Sequence, residues 1–164
     1  MTLEGYRAVS VENALIELPS QQPVVVMHEI TGDRVFPLWI GSAEFAVISN
    51  LLDGSPAKRP LTHDLLLDIV DALDANILRV RIVDVDDMTF HARIDLDNGR
   101  EVDSRASDAV ILGLQLDVPI LITSELLDHV GVVRPVDEDP GATEAQVEEF
   151  KEFLEGLDPS DFKD

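Results

Sequence analysis

The chain has 164 residues, 33 acids against 12 lysines and arginines for a net charge of −21, and no cysteine. That length supports one domain with a substantial core, and the lack of cysteine excludes disulfides, zinc-thiolate sites and thiol nucleophiles, leaving oxygen and imidazole as metal ligands. No apolar stretch approaches the roughly 20 residues that span a bilayer and no basic-then-apolar leader opens the chain, so a cytoplasmic protein without a membrane partner is expected.

In chain order, Tyr6 to Val11 and Val24 to Ile30 read as strands, and Thr31-Gly32-Asp33-Arg34 supplies a turn before a strand from Val35 to Ile40. Ser42 is placed to cap a helix with Phe45, Ile48, Leu51 and Leu52 at helical spacing, ending at Gly54. Thr62 is placed to cap a second helix, with Leu65, Leu66, Ile69, Val70 and Leu73 on its expected inner face. The period then changes to two: Leu78, Val80 and Ile82 alternate with arginines, and Phe90, Ala92, Ile94 and Leu96 alternate with polar residues. Asn98-Gly99 predicts a hairpin into Arg100 to Ser104. Ser107 is expected to cap a helix through Leu116, followed by a strand from Pro119 to Thr123 and a short helix capped by Ser124. Strand runs mixed with helices, without strict β-α-β alternation, indicate an α+β fold with a largely antiparallel or mixed sheet in one domain, residues 1–134.

Residues 135–142 are acidic and rich in turn formers, which predicts a linker. In residues 143–164, Thr143 to Gln146 form a capping box, and Val147, Phe150, Leu154 and Leu157 make one apolar stripe on an acidic helix. That stripe is expected to dock on the body, on a neighbouring subunit or on a protein partner.

Three polar blocks sit at helix starts. His63 titrates near neutral pH and Asp64 can orient it or bind a divalent cation, but both residue types also suit the first turn of a helix. Glu44 and Asp108 pose the same choice at two further helix starts. If these helix ends converge, Glu44, Asp64 and Asp108 would form an oxygen donor set for Mg²⁺ or Mn²⁺. Arg59 and Arg105, with Ser107, are candidate phosphate ligands, since guanidinium pairs bidentately with phosphate; structural ion pairs with the same acids are the other reading. Residues 135–164 hold 11 acids and 2 bases and residues 1–134 hold 22 and 10, so any phosphate site must be a local basic cluster on an acidic body. His28, His91 and His129 are weaker candidates, His91 reading as a surface or interface residue, and Trp39 reads as a core or subunit-interface anchor.

Pro37-Leu38-Trp39-Ile40-Gly41 with Glu44, then Arg59-Pro60-Leu61-Thr62-His63-Asp64-Leu65, then Arg105-Ala106-Ser107-Asp108-Ala109 resemble the bifunctional nuclease domain family over most of residues 8 to 134. Ala106 departs from the family pattern, which often has proline there, and Gln115 stands where an arginine commonly closes the helix. The resemblance implies a self-associating α+β domain, a dimer being favoured, that cleaves both DNA and RNA. Two functions are therefore expected from different directions. One is a nuclease in which Glu44, Asp64 or Asp108 act as base or metal ligand, His63 transfers a proton and Arg59 and Arg105 hold phosphate. The other is a non-catalytic, homo-oligomeric regulatory module that binds a protein partner through its acidic C-terminal helix.

Overall fold

Runs of β-branched residues in Val24-Val25-Val26 and alternation along residues 77–96 give this chain its sheet. A computed structural model describes residues 4–134. Its elements are β1 (Tyr6–Ile16), β2 (Pro23–Glu29), β3 (Arg34–Trp39), α1 (Ser42–Leu52), α2 (Thr62–Ala72), β4 (Ile77–Asp86), β5 (Thr89–Leu96), β6 (Glu101–Arg105), α3 (Ala106–Leu116), β7 (Ile120–Thr123), α4 (Ser124–Val130) and β8 (Val132–Val133). The expected linker at 135–142 and the amphipathic helix at 143–164 lie outside the described residues.

The strands form one sheet in the order β6-β5-β4-β7-β1-β2-β3-β8. Every neighbouring pair is antiparallel except β4 and β7, which run parallel with Val80 opposite Ile120. The fold is thus α+β, with a mixed sheet. A parallel pair needs a crossover connection. Here β5, β6 and α3 lie between β4 and β7, and that path carries α3 back onto the sheet.

Of the apolar positions predicted from period two, Val80, Ile82, Phe90, Ala92 and Ile94 are buried, with Phe36, Met27, Ile111, Leu112 and Ile122, and Leu96 is half-buried; Leu78 is corrected to an exposed position, because the register shifts between Ile77 and Arg79 and Ile77 takes the inner place. Gly113 lets α3 approach this layer, because a Cβ there would lie 2.6 Å from Ile120 Cγ1 and 3.2 Å from Val80 Cγ2. Phe36 and Phe90 add a tilted ring pair at 6.0 Å between centroids. On the sheet, buried Asp95 accepts hydrogen bonds from Arg79 and Arg81, and Arg81 also reaches Glu101 and the Tyr6 hydroxyl. Burial alone would raise the Asp95 pKa, but the two guanidinium hydrogen bonds outweigh it and hold the carboxyl below its ordinary range.

Several local expectations are corrected. The N-cap residues are Gly41, Leu61 and Arg105 for α1, α2 and α3, with no side-chain cap bond at any of them. Ser42, Thr62 and Ser107 therefore lie inside the helices they were expected to cap. At α4 the cap is Thr123, whose hydroxyl accepts from the Leu126 N–H, rather than Ser124. The expected inner face of α2 is turned outward: Leu65, Leu66, Ile69 and Leu73 are 40–73% exposed, and only Leu67 and Val70 pack against the core. At the β5–β6 hairpin Gly99 alone takes positive φ, at 78°, so the turn is not the doubly left-handed type that Asn98-Gly99 favours.

Candidate functional site

The first turns of α1, α2 and α3 come together around one arginine. β6 runs directly into α3 without a loop, so Arg105 is both the last residue of the strand and the N-cap of the helix. Its Nε donates to Asp108 Oδ2 at 2.7 Å, and its Nη2 donates to Glu44 Oε1 at 2.7 Å and to Asp108 Oδ1 at 3.0 Å. Across from it, His63 Nε2 lies 2.8 Å from Asp108 Oδ1. An ionised carboxylate only accepts, so Nε2 carries the proton and Nδ1 is the basic nitrogen of the neutral ring.

Burial divides the roles within this cluster. The side chains of His63 and Glu44 are each 12% exposed and Asp108 is 26% exposed, whereas Arg105 is 64% exposed. The acids and the imidazole form the floor and the guanidinium forms the lid. Three of the five Arg105 N–H groups are used, which leaves both Nη1 protons without a protein partner among the described residues. Desolvation would raise the Asp108 pKa, yet hydrogen bonds from Arg105 and then His63 pull it below the usual carboxylate value. Hydrogen bonds to Asp108 and Glu44 likewise raise the Arg105 pKa above its ordinary range, so the lid is permanently cationic. Gly41 makes room for Glu44, since a Cβ there would come within 2.3 Å of Glu44 Oε2.

Of the residues nominated from sequence, His63, Glu44, Asp108 and Arg105 meet in this cluster. Asp64 faces elsewhere: Oδ2 accepts the Leu61 N–H at 2.7 Å, and Oδ1 accepts from Gln115 Nε2 at 2.6 Å. It closes the start of α2 and ties that helix to α3. Ser107 is buried in the first turn of α3, and Arg59 is exposed in the loop before α2, with no ion pair among the described residues. Adjacent helical residues point about 100° apart, which is why His63 and Asp64 serve different neighbours.

Because Arg105 already bridges Glu44 and Asp108 while Asp64 turns to Leu61 and Gln115, the three carboxylates nominated for Mg²⁺ or Mn²⁺ do not make one donor set. Among the described residues no group of three or more His, Asp or Glu side chains is arranged to hold a metal ion. The described side chains as they stand do not fit such an ion.

One feature of the region had no signal in the sequence beyond the departure at Gln115. Gln115 lines a cleft of about 550 Å³ between α1, α2 and the loop joining them, and its Oε1 atom is buried without a hydrogen-bond partner among the described residues.

Two uncharacterized proteins of Mycobacterium tuberculosis, from strains CDC 1551 / Oshkosh and ATCC 25618 / H37Rv, are each 41% identical over 159 residues, covering 94% of this chain and 97% of theirs. The bifunctional nuclease domain matches residues 25–135, a span holding all four residues of the cluster, and the chain belongs to the bifunctional nuclease domain family.

Proposed function

We propose that this protein is a nuclease that hydrolyses phosphodiester bonds of DNA and RNA at the His63, Asp108, Arg105 and Glu44 cluster. The observation that carries this reading is the pairing of an oriented imidazole with an arginine that keeps two N–H groups unused. Asp108 fixes the ring so that Nδ1 accepts a proton from the attacking water as its oxygen bonds to phosphorus. Arg105 Nη1 donates to the non-bridging oxygens, whose charge grows in the transition state, while Glu44 and Asp108 hold the guanidinium in place. The bond from phosphorus to the leaving oxygen breaks, and that oxygen is protonated by the imidazolium or by solvent. Arg59 is a second phosphate contact outside the cluster. Purified protein incubated with single-stranded DNA and RNA, with and without Mg²⁺ or Mn²⁺, beside a folded His63→Ala variant, tests the proposal. Activity that survives unchanged in the variant is not the work of this site.

A homo-oligomeric interaction module is the second reading, and the outward apolar face of α2 favours it. Three large apolar side chains exposed on one helix of 11 residues, with a fourth, Leu73, at its C-cap, exceed what scattered surface hydrophobics require. Light scattering on wild type and on a Leu65→Asp, Ile69→Asp variant separates the readings: a dimer that dissociates in the variant, with no cleavage by either protein, supports the module.

A further inference from the structure

Leu65, Leu66, Ile69 and Leu73 fall within about 100° of one another on a helical projection of α2, and with Leu61 they are each 40–73% exposed. Contiguous apolar surface of this kind marks a contact. A second copy of α2 is poorly matched to it. The helix carries exposed Asp68 and Asp71 along one flank of the stripe and no lysine or arginine, so symmetric pairing sets acids near acids with no cation between them.

Residues 143–157 of the same chain are matched to the stripe in length and in charge. As a helix, Val147 to Leu157 spans about 15 Å, against about 12 Å from Leu65 to Leu73. One flank of the stripe made by Val147, Phe150, Leu154 and Leu157 is uncharged, with Gln146 and Phe153. The other flank holds Lys151 beside Glu144, Glu148 and Glu155. Antiparallel seating lays the uncharged flank along Asp68 and Asp71, whereas parallel seating would lay the three glutamates there. The antiparallel direction also carries Asp158 and Asp161 to the start of α2. Just before that start stand Lys58 and Arg59, both exposed and neither in an ion pair among the described residues, although most arginines there are paired. Apolar contact supplies the holding energy, and surface ion pairs, weak singly, set the direction. Reach is sufficient: residues 135 to 146 extend up to about 40 Å, and a domain of about 130 residues is roughly 36 Å across.

We propose that residues 143–157 form a helix that docks antiparallel on α2 of the same chain, its apolar stripe on Leu65, Leu66, Ile69 and Leu73, with Asp158 and Asp161 beside Lys58 and Arg59. The inference does not depend on the nuclease reading. It assigns to the chain itself the face on which a homo-oligomeric module would rely.

The absence of cysteine lets a single nitroxide be placed on the full chain. Labels at Ser160→Cys and, in a separate protein, at Ala145→Cys are read by paramagnetic broadening of leucine and isoleucine methyl signals in NMR spectra. The label at Ser160→Cys is expected to broaden Leu61 and Leu65 more strongly than Leu73, and the label at Ala145→Cys to do the reverse. Adding Phe150→Asp and Leu154→Asp should abolish both patterns. Isotope-labelled protein without nitroxide, mixed with nitroxide-bearing protein without isotope, reports contacts between chains and should show no broadening of α2. Unbroadened α2 signals in the singly labelled chains, the opposite order along α2, or equal broadening in the mixture overturns the proposal, the last by seating the segment on a neighbouring copy.

Discussion

Asp108 accepts a 2.8 Å hydrogen bond from His63, 45 positions earlier in the chain, and this contact joins the starts of α2 and α3. Two consequences are separable. The bond fixes the ring tautomer, which matters to proton transfer, and it links two helices, which matters to stability. Asp108→Asn keeps the size of the side chain but loses the charge that holds both His63 and Arg105. Cleavage is expected to fall by about 10²-fold or more, in the range of a misoriented general base, while far-UV circular dichroism stays unchanged.

Glu44 holds the Arg105 guanidinium through Nη2, so its displacement should be felt there. Gly41→Ala puts a methyl group where Glu44 Oε2 now sits, and that carboxylate is the far end of a flexible side chain. The fold should tolerate the change, with a stability loss within about 1 kcal/mol by urea denaturation. The Arg105 lid loses one of its anchors. The expected signature is a rise in KM together with a drop in kcat, both partly restored by the smaller acid in a Gly41→Ala, Glu44→Asp double variant.

Much of this site was legible as composition of helix starts, and less of it as geometry. Glu44, His63 and Asp108 each announce themselves beside an apolar run, and of the two readings of Arg105 the ion pair with Glu44 and Asp108 is the one present, with the Nη1 protons left over among the described residues. What sequence did not convey was direction. Asp64 and His63 are neighbours, yet the helix turns one to Gln115 and the other to Asp108. The α2 stripe obeys the helical period as an inner face would, but α1 and α3 already cover the sheet and α2 packs beside them. The insertion of β7 between β4 and β1 was also hidden, because strand order depends on pairings far apart in the chain and not on local period.

Acid stability follows from Asp95 and Asp108, whose pKa values are both lowered in the folded protein. Below their ordinary range the unfolded chain binds these protons more readily than the folded one. Their contribution is therefore complete above about pH 5 and is lost progressively as pH falls through the depressed values. Asp95→Asn should reduce stability at pH 7 and flatten the acid limb, so that variant and wild type converge toward about pH 2. Urea midpoints measured from pH 7 to 2 give the curve.

Gly113→Ala sets two effects against each other. Alanine gains about 1 kcal/mol over glycine in a helix interior. Its Cβ, however, would sit 2.6 Å from Ile120 Cγ1 in a fully buried layer, and overpacking of that kind costs about 1–3 kcal/mol. The clash should win, giving a net destabilisation, and Gly113→Ala with Ile120→Val should recover part of it.

The most direct measurement is single-turnover cleavage of a labelled single-stranded RNA and a labelled single-stranded DNA by wild type, His63→Ala and Arg105→Ala, each purified identically and shown to be folded. Wild type should cleave both, with His63→Ala slower by about 10²- to 10⁴-fold and Arg105→Ala slower by about 10²-fold. Equal rates in all three proteins, or no cleavage by wild type, would contradict a phosphodiesterase centre at His63, Asp108, Arg105 and Glu44.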